Sequence, residues 1–279
     1  MDPFADFGIE PKDLITGYIS GVISALIVPV QLIVLKALFT HKDLWNNSSY
    51  RLLFRLIFLE VLQTSALILT SVFTIYPNLA YVDVLRKLCS VVLSTFFLMN
   101  FVLMYELSIL RILVVCKKCL PDKLPFPILL FEILCLLIIL GLSVPVYINE
   151  SMCFEGGDWY YNDEEDIFAL LIDWAEVFFC IPMLLVTYCA YLILIAMVYG
   201  KRKRFSENSS SKQEWLLFLQ TTFITVYYIF LIYDWHFIDT TETHKVIGYP
   251  FEIISSVMWG TAYYWNSLLL LIFNRSVDW

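Results

Sequence analysis

Residues 88–115 read LCSVVLSTFFLMNFVLMYELSILRILVV, with Glu106 and Arg111 as the sole charged side chains. A helix crossing a bilayer needs about 20 mostly apolar residues. This run exceeds that, so it tilts or projects beyond the bilayer. Six further stretches read the same way. They cover roughly 14–38, with a kink expected at Pro29; 52–75, stopping before Pro77; 126–148, between Pro125 and Asn149; 167–199; 215–237; and 250–273. The composition agrees: 60% apolar, 17% aromatic and 16% charged side chains, with a mean hydropathy of +0.75. A water-soluble fold has no place for so much apolar surface, whereas a bilayer has. The expected fold is an all-α membrane protein, a seven-transmembrane helix bundle forming one domain over 1–279. No repeat suggests a paired-repeat transporter. The start, Met1-Asp2-Pro3-Phe4-Ala5, lacks the basic region and small-residue cleavage site of a signal peptide, so the first apolar segment is expected to stay as a signal anchor.

Direction follows from Lys and Arg. Lys36, Lys42, Arg51, Arg55, Arg111, Lys117, Lys118, Lys123, Lys201, Arg202, Lys203, Arg204, Lys212 and Arg275 flank one side of the segments. Lys12, Arg86, Lys87 and Lys245 flank the other. The richer side is read as cytoplasmic, which puts the N-terminus outside and the C-terminus in the cytoplasm. Acids concentrate opposite: Glu150, Glu155, Asp158, Asp163, Glu164, Glu165 and Asp166 precede segment five with no Lys or Arg among them. That loop is either a solvated outer loop or an attractor of cationic ligands. The net charge of −8 gives no reason to expect a nucleic-acid partner.

Seven cysteines are present. Cys135, Cys180 and Cys189 fall inside segments. Cys116 and Cys119, beside Lys117 and Lys118, are palmitoylation candidates or inert thiols. Cys89 and Cys153 are the two expected to face the oxidising side, where disulfides persist. A Cys89–Cys153 bridge is therefore expected to hold the second outer loop across the bundle mouth. Asn149-Glu150-Ser151 is an outward glycosylation acceptor, with Asn149 as the modified residue. The sequons at Asn46, Asn47, Asn208 and Asn274 face inward and should be silent.

Catalytic signatures are missing. The sequence holds no H-E-x-x-H, G-x-S-x-G or G-x-x-x-x-G-K. Its three histidines, His41, His236 and His244, show no metal-ligand spacing, although His236 and His244 both fall near the last outer loop. We expect no enzyme activity, cofactor or metal. Nor is there a voltage-sensing Arg helix or a carbonyl filter.

Ionisable groups inside a span are costly and should face the bundle interior. They are Glu60, Glu106, Arg111, Glu132, Asp173, Glu176 and Glu252, of which Glu132 and Glu252 lie near segment ends. Asp173 and Glu176 share a helical face, so one of them is protonated or paired. They either extend the acidic loop or form part of a ligand pocket. Arg111 closes segment three and is either an interfacial anchor or a contact for a cytoplasmic partner. Tyr227, Tyr228, Tyr233, Trp235, Trp259, Tyr263, Tyr264 and Trp265 line the last two segments. Some belong to an interfacial belt. Trp259 and Tyr263, four apart, would wall a small-ligand pocket if they point inward.

Seven helices, an outside N-terminus, a cysteine at the start of segment three and an Arg closing it together resemble a rhodopsin-type G-protein-coupled receptor. The Asp-Arg-Tyr, Cys-Trp-x-Pro and Asn-Pro-x-x-Tyr motifs of that class are absent. The chain is more similar to the nematode serpentine chemoreceptors of classes T, X and V. The resemblance lies in the central proline of segment one followed by Ser49-Tyr50-Arg51-Leu52-Leu53-Phe54, in Leu110-Arg111 in place of Asn-Arg, in Trp215-Leu216-Leu217-Phe218-Leu219-Gln220, and in Trp259 with Ile272-Phe273-Asn274-Arg275-Ser276-Val277. It spans nearly the whole chain through short pieces. Cys116-Lys117-Lys118-Cys119-Leu120-Pro121 departs from the Pro and Tyr that often follow the Arg, and Asp278 stands where the family ends on Arg.

The resemblance implies a chemosensory receptor in the plasma membrane, in sensory-neuron cilia. A small-molecule ligand would bind in the outer half near Asp173, Glu176, Tyr227, Trp259 and Tyr263. A heterotrimeric G protein would bind inside, near Arg111, Lys117, Lys118, Arg202, Arg204, Asn274 and Arg275. A transporter or channel, or a non-signalling structural membrane protein, is the alternative.

Overall fold

The computed structural model describes residues 11–80, 82–116, 122–149, 152–155, 158–161, 166–202, 210–237 and 249–273. Helix α1 covers Pro11–Thr40 and is followed by a single turn, Lys42–Trp45. Then come α2 (Ser48–Ile75), α3 (Asp83–Val115) and α4 (Phe126–Asn149). The fifth segment is α5 (Ile167–Ala175), a π-helical turn over Glu176–Cys180, and α6 (Ile181–Arg202). Helix α7 is Ser210–Phe237, α8 is Tyr249–Ala262 and α9 is Trp265–Phe273.

Several helices begin before their apolar runs do, because capping rather than apolarity sets a helix start. Asn47 caps α2, its side chain accepting from the Ser49 N–H at 3.0 Å. Asp166 caps α5, accepting from the Phe168 N–H at 2.9 Å. Each satisfies an amide that the helix itself leaves open. In the first turn of α3, Asp83 and Arg86 pair at 3.2 Å. At the other end, α2 stops at Ile75 and Pro77 opens a 3-10 turn. Helix α1 continues through Pro29.

Among the described residues, five helical stretches are long and apolar enough to cross a membrane: Asp13–Thr40, Ser48–Ile75, Asp83–Val115, Phe126–Asn149 and Ile167–Met197. Segment seven departs from expectation. Instead of one helix over 250–273, a turn at Tyr263 and Tyr264 divides it into pieces of 14 and 9 residues. The fifth segment is also irregular. Pro182 has no N–H to give the Phe178 carbonyl four residues back, and the ladder loosens there into the π-turn.

Helix α3 is the hub, packing against α2, α4 and α6, while α8 closes the ring against α1 and α7. The core runs along α3 through Leu98, Phe101, Val102, Leu103 and Leu110, all buried. Phe97 and Phe101 stack edge-on with centroids 5.0 Å apart, and Phe101 meets Tyr228 of α7 at 5.2 Å. Helix α1 approaches α2 through glycines. A Cβ on Gly17 would stand 3.0 Å from Thr74, and one on Gly21 would stand 3.0 Å from Ser71. Small residues four apart allow that close approach.

The connection between α4 and α5 is not purely helical. Met152–Glu155 (β1) pairs antiparallel with Asp158–Tyr161 (β2), with Cys153 opposite Tyr160 and Phe154 opposite Trp159. The expected Cys89–Cys153 bridge is absent: both residues are thiols. Side chains alternate along a strand. Phe154 and Trp159 share the face that packs on Ala66, Phe73, Cys89 and Leu93, so the neighbouring Cys153 belongs to the other face. The buried Cys89 thiol instead donates to the Ala66 carbonyl at 3.3 Å. Trp159 holds the hairpin down, its indole N–H donating to Thr70 at 2.9 Å.

Candidate functional site

One end of the bundle gathers the charged residues of segments five and six. Asp173 comes from α5 and Glu176 from the π-turn, and His236 of α7 stands between them. Its Nδ1 lies 3.4 Å from Asp173 Oδ1, and its Nε2 lies 3.4 Å from Glu176 Oε2. The Nε2 contact is at ion-pair distance but forms no hydrogen bond. The other Glu176 oxygen accepts from the Tyr161 hydroxyl of β2 at 2.8 Å. Burial, and then the Glu176 carboxylate, holds the Tyr161 phenol well above its usual range, which keeps it a donor. Asn149, the last residue of α4, donates its side-chain amide to Asp166 at 3.0 Å. The amide expected to carry a glycan thus ties α4 to the start of α5.

The expected aromatic wall is only partly assembled. Trp259 stands 5.7 Å from Phe97 and 5.6 Å from Trp235, centroid to centroid. Tyr263 is buried but falls in the break of segment seven, beyond the end of α8. Tyr227 is committed elsewhere, its hydroxyl donating to the Met258 carbonyl at 2.7 Å with Thr261 Oγ1 at 2.8 Å. It fastens α7 to α8 and does not join Trp259 and Phe97.

A layer of buried polar groups crosses the middle. Asn266 of α9 donates to Glu60 of α2, and Asn100 of α3 donates to Gln63 of α2. Gln31 of α1 donates to the Tyr263 carbonyl at 2.8 Å and reaches Thr64 at 3.3 Å. Tyr228 donates to the Ala262 carbonyl at 3.3 Å. The break in segment seven frees carbonyls from the helical ladder, and side chains from α1 and α7 take them up. A break inside a packed bundle survives only with such partners. Of this layer, sequence reasoning identified Glu60 as an interior charge. Gln31, Gln63, Asn100 and Asn266 were missed because only ionisable residues were sought. Single amides within apolar runs were the available signal.

The opposite end of the bundle holds Arg111. Its Nη1 donates to the Tyr191 hydroxyl of α6 at 2.7 Å, and the guanidinium carbon lies 5.6 Å from the centre of the same ring. Hydrogen bonding and a cation–π contact therefore act together. Arg111 lines a cavity of about 30 Å³ with Tyr191, Thr187, Gln220, Thr221 and Asn266. That is room for a few waters and no more. Arg202 ends α6. Lys117, Lys118, Arg204, Asn274 and Arg275 lie outside the described residues. Toward α4, Arg55 pairs with Glu132 and anchors α2 to α4.

The sequence matches no protein-family model and no curated protein. Among solved structures, the chain is similar to the crystal structure of squid rhodopsin, with a TM-score of 0.65 and 14% identity over 99% of this chain and 87% of that one. At that identity the likeness concerns the fold. The chain is a helical, multi-pass membrane bundle with the rhodopsin fold.

Proposed function

We propose that this chain is a chemosensory G-protein-coupled receptor. Seven helices cross the plasma membrane with the N-terminus outside. A small ligand enters the outer half, near Asp173, Glu176 and Trp259, and a heterotrimeric G protein binds the inner ends. The observation that supports this reading best is the Arg111 crevice, where a cation at the inner end of the central helix of a rhodopsin-type bundle is held by the hydroxyl and ring of the neutral Tyr191 of α6. A ligand that prefers one arrangement of the outer helices shifts the population of inner arrangements, and a partner that binds one of those reads the shift.

The test is expression in a reporter cell with a promiscuous G protein, followed by an odorant and metabolite screen. A response that needs both the G protein and Arg111 supports the reading. Ligand-driven flux that persists without any G protein would make the chain a transporter or channel. Topology is tested separately: an epitope at residue 1 should be reached on intact cells, and one after Trp279 only after permeabilisation.

A further inference from the structure

We propose that one exchangeable proton, carried by His236 between Asp173 and Glu176, latches the outer ends of segments five and six. The two carboxylates approach opposite edges of the ring, Asp173 at Nδ1 and Glu176 at Nε2, each at 3.4 Å. A neutral imidazole has one N–H and one lone pair. Whichever tautomer forms, one carboxylate faces a lone pair and is repelled. The imidazolium presents an N–H to both. The environment magnifies the difference, since the side chains of His236 and Glu176 are each 8% exposed and water screens them little. Tyr161 already occupies the second oxygen of Glu176, which leaves the first for the ring.

A metal ion fits the cluster poorly. A cation held by one ring nitrogen needs its carboxylates on that same side, and here they are divided between two edges. Among the described residues, no group of three His, Cys, Asp or Glu side chains is placed to hold a metal. A proton is the ligand that suits this arrangement.

Asp173 faces the ring from α5, Glu176 from the π-turn, and Tyr161 stands behind Glu176 on β2. Cys180 ends the π-turn that Glu176 begins, and Tyr263, at the break in segment seven, interacts electrostatically with Glu176. Asp234, on the same helix as His236, accepts from Ser255 of α8. Imidazole is the side chain that ordinarily changes charge between about pH 5 and 8. In acid the protonated ring clasps α5 and the π-turn to α7. As pH rises the proton leaves, one carboxylate meets a lone pair, and the clasp loosens. That the latch faces the outer medium rests on the N-out reading above.

The experiment is an intrinsic-tryptophan melt of the purified full chain in detergent, from pH 5.5 to 8.5. The wild-type Tm should fall by about 2–4 °C as pH rises, in a single step. His236→Gln should lose the step, and Asp173→Asn should shrink it. His41→Gln and His244→Gln should keep it. A flat wild-type profile, a step that survives His236→Gln, or a step that disappears with His41→Gln or His244→Gln overturns the proposal. Should His236→Gln fail to fold, Asp173→Asn decides, because Asp173 is 26% exposed and its replacement is the milder change. An undiminished step in that variant overturns the latch. The melt reads the latch whether or not the chain signals, so a silent reporter screen leaves this result independent.

Discussion

The two ends of the bundle treat charge differently. At one end, Asp173 and Glu176 face the two nitrogens of His236, and Tyr161 holds the remaining Glu176 oxygen. At the other end, Arg111 makes no ion pair among the described residues, and a hydroxyl and an aromatic ring hold it. A charge surrounded by opposite charges holds helices in place. A charge held by neutral groups gives them up more readily when an acidic or carbonyl-rich partner arrives. The His236 cluster is surrounded by opposite charge, whereas the Arg111 cation is held by neutral groups. Between them lies Asn266, which lines the Arg111 cavity and donates to Glu60.

The largest effect is expected where the cation has least support. Arg111→Ala should abolish agonist-driven G-protein activation in the reporter cell at near-normal surface expression. Tyr191→Phe keeps the ring and removes the hydroxyl that Arg111 bonds. A hydrogen bond to a charged group is worth about 1.5–3 kcal/mol, so the variant should shift the agonist response roughly ten- to hundredfold. Arg111→Lys should fall between wild type and Arg111→Ala, because an ammonium cannot reproduce the planar fork of the guanidinium. If Arg111→Lys signals like wild type, the residue is an interfacial anchor and the contrast between the two ends collapses.

The middle layer comes next. Glu60→Ala leaves the Asn266 amide buried without its partner, at a cost of about 1–3 kcal/mol, read as a lower Tm of the purified chain. Glu60→Gln keeps an acceptor toward Asn266 and should melt closer to wild type. Equal losses in the two variants would mean that shape, rather than the hydrogen bond, holds α2 to α9.

The smallest effect separates two ways of holding the hairpin. Trp159→Phe removes the bond to Thr70 and should cost about 1 kcal/mol. Cys153→Ser leaves the Trp159–Thr70 bond in place and should cost less than Trp159→Phe. A larger loss with Cys153→Ser than with Trp159→Phe would return the loop to a disulfide.

Sequence reasoning brought Asp173 and Glu176 to one face and required that one be protonated or paired. The partner, His236, lies 60 residues further on, and no local pattern joins them. The cysteine argument failed for a related reason. Sidedness placed Cys89 and Cys153 at the same end, but pairing depends on which strand face a residue occupies. The one-residue alternation of the hairpin gave that face to Phe154 and Trp159.

Apolar run length and flanking charge are local quantities, set by transfer of each segment into the bilayer. They were enough to read a helical membrane bundle, most segment positions and the place of Arg111 in the last turns of α3. Helix starts were misjudged by a few residues because caps such as Asn47 are polar and lie outside apolar runs. The break at Tyr263 and Tyr264, the burial of Gln31 and Asn266 and the commitment of Tyr227 to α8 came only from the folded bundle. In each case a polar group must find its partner on another helix, because the bilayer interior offers no water to replace it.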